Sequence, residues 1–121
     1  MVVLGNIVGE LASVFPGPYM HIGGDEVSGD GWKERQKGFE LRYAALVREA
    51  GKTPVMWDEA LESWVSGVIH WWRADHPEAL EKALASGYQT IISPWDPFYL
   101  DYIGVYYYDF RDFERHPEPR R

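Results

Sequence analysis

The sequence predicts an α/β fold of parallel βαβ units, and three observations carry that prediction. Short β-branched and aromatic runs alternate with segments of helical spacing. The connections between them are long enough for the crossover that a parallel neighbour requires. The polar clusters Asp25-Glu26, Asp58-Glu59, Arg73 to Asp75 and Ser93 onward each follow the C-terminal end of a strand. A barrel collects its chemistry at that end, and so does an open doubly wound sheet, so the pattern by itself leaves both architectures open. A complete (β/α)₈ barrel takes about 250 residues, so this chain holds about half of one.

Leu4, Ile7, Val8, Leu11, Val14 and Phe15 repeat at helical spacing, and Pro16-Gly17-Pro18 stops that helix ahead of a strand over Tyr19 to Ile22. After a Gly- and Ser-rich corner, Trp32 to Ala50 is an amphipathic helix with Phe39, Tyr43, Leu46 and Val47 on one side and Gly51 as its C-cap. Thr53 to Trp57 reads as the second strand. Ser66-Gly67 then breaks the chain before a third strand over Val68 to Trp72. Pro77 to Ser86 is a short helix closed by Gly87, and Tyr88 to Ser93 is the fourth strand. From Pro94 an aromatic loop leads to a charged, Pro-interrupted tail at 111–121, which is expected to fray. There is no repeat and no internal linker, and residues 1–110 form one domain.

Composition removes several classes of function. The 121 residues hold 12 Lys and Arg against 19 Asp and Glu, a net charge of −7 with no basic stripe, so nucleic acid is not an expected partner. With 45% hydrophobic residues the chain can bury a core. The absence of cysteine excludes disulfides, Cys-ligated zinc and thiol catalysis, and leaves the compartment open. Met1 to Gly9 lacks a basic n-region, so it does not read as a signal peptide, and no stretch approaches the roughly 18 apolar residues of a membrane span. Six Trp and eight Tyr are the unusual feature, since aromatic rings build sugar-stacking surfaces as well as cores.

The sharpest motif is His21-Ile22-Gly23-Gly24-Asp25-Glu26-Val27. Two glycines at a strand end let the backbone bend, so that both carboxylates can face one pocket. Adjacent carboxylates repel, which favours a protonated acid beside an ionised partner, as general acid catalysis requires. Read alone, the motif favours a Gly-Asp turn with solvated acids, and His21 a hydrogen-bonded core histidine over a catalyst. Trp57, Trp72 and Trp95 shift the balance, because they stand at or just after three successive strand ends, where core packing gives tryptophan no reason to recur. Indoles around paired carboxylates suit a pyranose ring, whose C–H faces stack on aromatic rings while acids act on the glycosidic oxygen.

These residues resemble family 20 of the glycoside hydrolases, the β-N-acetylhexosaminidases. His21 to Val27 is similar to the family's HxGGDE signature and Trp57-Asp58-Glu59 to its WDE or WEE block. Val68 to Arg73 is similar to its next strand ending in Trp-Arg, and Tyr99-Leu100-Asp101-Tyr102 to its YLDY block. Four blocks in family order span nearly the whole chain, from the first helix to about Tyr102.

The resemblance implies a partial (β/α)₈ TIM barrel, corresponding to strands four to seven. It also implies hydrolysis of terminal non-reducing β-linked N-acetylglucosamine or N-acetylgalactosamine with retention, the substrate's 2-acetamido carbonyl serving as nucleophile. Carried over by position, Glu26 is the general acid and then the base, and Asp25 orients the acetamido N–H and stabilises its developing charge. Tyr99 bonds the acetamido carbonyl oxygen, Trp57 and Trp72 wall the pocket, Asp101 holds a ring hydroxyl, and His21 orients rather than reacts. The family's first three strands, with the Arg that grips the terminal sugar, have no counterpart here. Nor does the eighth, and Phe110 and Phe113 are the candidates to replace its Trp wall. The chain is therefore expected to be a fragment or one piece of a split enzyme, with little activity alone. Its open strand edges favour self-association or a complementing chain.

No cofactor is expected, and the partner is a β-linked N-acetylhexosaminide glycan or glycoconjugate. Two other readings compete: a non-catalytic amino-sugar-binding module that keeps the aromatic wall, and a metal hydrolase built on His21, Asp25, Glu26, Asp58 and Glu59. The second lacks a His pair at ligand spacing.

Overall fold

The computed structural model describes residues 2–99. Helix α1 (Val2–Val14) leads into strand β1 (Tyr19–His21), then helix α2 (Trp32–Glu49) and strand β2 (Thr53–Trp57). A 3₁₀ helix over Asp58–Ser63 precedes β3 (Val68–Trp71), α3 (Pro77–Ala85), β4 (Gln89–Ile92) and the one-turn α4 (Trp95–Phe98). Every helix and strand expected from the sequence is present within a few residues. The 3₁₀ helix and α4 were not anticipated. The tail at 111–121, with Phe110, Phe113 and Asp101, lies outside the described residues.

The caps explain why the helices stop where they do. Gly51 and Gly87 adopt φ 76° and 77°. After α2, Gly51 donates to the Arg48 carbonyl and Lys52 to that of Val47; after α3, Gly87 donates to Leu84 and Tyr88 to Ala83. Both are Schellman closures, which need a left-handed residue at that position. Lys52 is buried, and its ammonium donates to the carbonyls of Phe15 at 2.6 Å and Gly17 at 2.5 Å, tying down the corner before β1.

Among the described residues the four strands are parallel and lie in the order β1-β2-β3-β4, with no reversal. A doubly wound sheet needs a switch point where the order reverses, so the sheet is a sector of a barrel instead. Register fixes its two faces. Met20 and Pro54 form one outward row, and Met56, Ile69 and Thr90 the next. Met56 and Ile69 are fully buried with Val8, Ala44, Val47, Ala60, Leu61, Val65, Ala79 and Ala83, so the core lies between this face and the helices. The inward rows are His21, Val55, Val68 and Gln89, then Trp57, His70 and Ile91. An apolar trough of about 530 Å³ runs along this inner side past Tyr19, Val55, Val68 and Ile91.

One face is corrected. The buried side of α2 is Gln36, Glu40, Ala44 and Val47, while Phe39 is 44% exposed and packs edge-to-face on Tyr43. The apolar stripe expected through Phe39 is rotated, because two polar side chains occupy the inner positions of the first two turns.

Candidate active site

The loop after β1 is built from left-handed backbone. Gly23 and Gly24 have φ 77° and 100°, and Glu26, with no glycine's freedom, stands at φ 52°. A non-glycine residue in that region stores strain, which tends to gather where a loop must aim a side chain. Three bonds hold the loop's entry: Ile22 N–H donates to the Val55 carbonyl at 2.8 Å, Trp57 N–H to the Gly23 carbonyl at 3.0 Å, and Gly23 N–H to His21 Nδ1 at 3.0 Å. His21 Nδ1 therefore accepts, which requires the neutral ring. Burial against its neighbours holds the His21 pKa below its ordinary value, the nearby His70 acts in the same direction and Asp25 opposes. Asp25 and Glu26 leave this loop with exposed side chains at the C-terminal mouth of the sheet.

An aromatic wall adjoins the loop at Trp57. Trp57 stacks on His70 at 4.3 Å between centroids and lies 4.6 Å from His21. Trp72 meets Trp57 edge-on at 6.2 Å, and the Tyr99 ring stacks on Trp72 at 6.3 Å with planes 15° apart. Trp57, Trp72 and Tyr99 thus form one continuous surface, two rings from the ends of β2 and β3 and the third from the cap of α4. Trp95 reaches the same region by its backbone, donating to the Trp72 carbonyl at 2.8 Å, while its indole N–H points to Asp75 Oδ1 at 3.4 Å.

Asp58 and Glu59 fix this wall from behind. The Trp72 indole N–H donates to Glu59 Oε2 at 3.0 Å. Asp58, whose carboxylate is fully buried, accepts from Arg73 Nε at 2.8 Å and faces the Trp72 backbone N–H at 3.5 Å. Burial pushes the Asp58 pKa up, and the Arg73 guanidinium opposes it. Both carboxylates are thereby committed to Trp72 and Arg73. Among the described residues no three His, Asp or Glu side chains converge as a metal site would require. His70 completes the inner side, its Nε2 paired with Ser93 Oγ at 2.5 Å and its pKa lowered by burial.

Behind the loop lies a cluster that motif reading missed. Gln36 Nε2 donates to the Gly24 carbonyl and to Glu40 Oε1, each at 2.7 Å, and Ser63 Oγ donates to the other Glu40 oxygen. The available signal was the spacing of 36, 40, 44 and 47, which places Gln36 and Glu40 on the face of Ala44 and Val47.

Known proteins similar to this chain come from one family. The model of "Glycosyl hydrolase family 20, catalytic domain" matches residues 1–109. Beta-hexosaminidase 1 of Arabidopsis thaliana is 29% identical over 85% of this chain and 23% of its own length. A beta-N-acetylhexosaminidase of Cellulomonas fimi is 36% identical over 81% of this chain and 20% of its own. A mutant Streptomyces plicatus beta-hexosaminidase in complex with its product, GlcNAc, superposes with a TM-score of 0.68 at 30% identity, over 78% of this chain and 20% of that one. The chain thus spans about a fifth to a quarter of the length of these relatives.

Proposed function

The chain belongs to glycosyl hydrolase family 20, and we propose that it carries the acid/base pair and the acetamido pocket of a β-N-acetylhexosaminidase. Its substrates are glycans or glycoconjugates ending in non-reducing β-linked N-acetylglucosamine or N-acetylgalactosamine. The observation that carries this reading is that the loop of left-handed backbone bearing Asp25 and Glu26 is hydrogen-bonded through its Gly23 carbonyl to Trp57, the first ring of the wall that continues through Trp72 and Tyr99.

In the first step Glu26 donates its proton to the glycosidic oxygen while the substrate's acetamido oxygen attacks C1. The aglycone leaves and an oxazolinium ring forms. Asp25 accepts a hydrogen bond from the acetamido N–H and offsets the positive charge that develops there. Tyr99 donates to the acetamido oxygen, and Trp57 and Trp72 enclose the methyl group. Glu26, now a carboxylate, takes a proton from water as it attacks C1, and the ring reopens with overall retention. His21 keeps the Gly23 turn closed through its neutral Nδ1. Asp101 is assigned a ring hydroxyl on the family pattern alone. The remaining sugar contacts come from the strands that complete the barrel, supplied by further chain or a complementing one.

Glu26→Gln, assayed with the chain completed by the remaining strands of a family barrel, tests this directly. With azide present to replace the water that Glu26 can no longer activate, substrates with poor leaving groups should still not react, while activated aryl leaving groups, which need no proton, should be released. Equal loss on both would remove Glu26 from the acid role. Binding of an N-acetylglucosamine oxazoline analogue with no turnover of either substrate would instead favour the amino-sugar-binding module.

A further inference from the structure

The buried contacts of α2 point to residues that act on the site without reaching it. Gln36 and Glu40 are 7% and 2% exposed, on a helix whose next inward residues are Ala44 and Val47. A buried carboxylate is costly unless its oxygens are bonded. Glu40 meets that demand with Gln36 on one oxygen and Ser63, the last residue of the 3₁₀ helix, on the other. Gln36 spends both amide hydrogens, one on Glu40 and one on the Gly24 carbonyl, the peptide immediately before Asp25. The loop is pressed onto this cluster: a Cβ on Gly24 would lie 2.6 Å from Glu40 Oε1 and 3.6 Å from Gln36 Nε2.

We propose that Gln36, Glu40 and Ser63 are positioning residues that hold the Gly24 peptide and so set the direction in which Asp25 and Glu26 leave the loop. Glu40 orients the Gln36 amide, Ser63 orients Glu40, and Gln36 grips the backbone. The same 3₁₀ helix carries Asp58 and Glu59 to Arg73 and Trp72, so one element registers the loop after β1 against the aromatic wall after β3. What the loop is aimed for rests on the hexosaminidase reading. That it is held this way does not.

Residue-resolved amide hydrogen exchange on the whole chain tests the inference, using the Gly23 and Trp57 amides, whose bonds both run through the loop's entry. Gln36→Met keeps the volume and removes both amide bonds. It should speed exchange at Gly23 and Trp57 about tenfold or more, with Ala44 and Val47 unchanged. Glu40→Gln keeps an oxygen for Gln36 and an amide N–H that the Ser63 hydroxyl can accept, and should keep protection at Gly23 and Trp57 within about twofold of wild type. Should Gln36→Met fail to fold, Ser63→Ala is the smaller change, with about a threefold effect confined to the same amides. Unchanged exchange at Gly23 and Trp57, or equal acceleration there and along α2, overturns the inference. A parallel titration with N-acetylglucosamine thiazoline, in the barrel completed by the remaining strands, separates the two readings: a wild-type loop that gains no protection there counts against the hexosaminidase assignment, while the exchange rates still decide the positioning role.

Discussion

At the scale of single residues, the loop after β1 concentrates the demands of the site. Gly24 is required twice over, by a φ of 100° and by the Glu40 carboxylate lying where a Cβ would stand. Gly51 also has positive φ, yet open space surrounds it. Gly24→Ala should therefore cost about 2–4 kcal/mol in urea unfolding, from backbone strain and overpacking together. Gly51→Ala should cost about 1 kcal/mol, from strain alone. The histidines give a pH dependence with a definite sign. His21 and His70 both have pKa values held below the ordinary 6.5, chiefly by burial. As the pH falls through that value the unfolded chain takes up protons that the folded chain resists, so stability must fall on acidification. Urea midpoints should drop between about pH 8 and about pH 5.5, and His21→Gln should flatten part of that slope. A slope unchanged by the substitution would show that His21 titrates alike in both states.

At the scale of elements, the 3₁₀ helix over Asp58–Ser63 joins the two halves of the site through the Asp58–Arg73 pair. Arg73→Ala would leave a fully buried carboxylate unpaired. A loss of about 2–3 kcal/mol should follow, discounted from the usual figure for a buried pair because Arg73 is itself partly exposed, and Asp58→Asn should recover part of it in the double variant. Failure of the second substitution to compensate would mean the pair is not coupled. The same elements show what the sequence made legible. Periodicity and glycine caps located both crossover α-helices, the long α2 and the short α3, because Gly51 and Gly87 close them by hydrogen bonds that depend on local chain alone. The motif His21 to Glu26 was legible as a candidate only beside the indoles at the following strand ends, because two glycines before two acids by themselves also make an ordinary turn. Gln36, Glu40 and Ser63 were not, because a polar residue on a helix reads as solvent-facing unless its buried partners are known, and those partners come from two other segments. Likewise Asp58 and Glu59 read as site carboxylates until Arg73 and Trp72 were seen to occupy them.

At the scale of the whole molecule, the chain is a sector of a (β/α)₈ barrel, and among the described residues β1 and β4 each pair on one side only. Tyr19 and Ile91 are 54% and 43% exposed on the inner face, Ile92 53% exposed on the outer face, and Ile7 and Val14 are open on α1. Sheet edges and apolar faces of this kind drive association, so sedimentation of the 121-residue chain should show oligomers that dissociate when the missing strands are added. A stable, fully active monomer would contradict the sector architecture as the cause of its behaviour. The central claim, that Asp25 and Glu26 serve a substrate-assisted reaction, is tested most directly by the cyclised-intermediate mimic N-acetylglucosamine thiazoline, measured against N-acetylglucosamine in the completed barrel. The thiazoline should bind about 10²-fold tighter or more, and Asp25→Asn should abolish most of that preference. Equal binding of the two ligands, together with a covalent glycosyl adduct on Asp25 or Asp58 after treatment with a 2-fluoro sugar, would show that a protein carboxylate is the nucleophile and contradict the account.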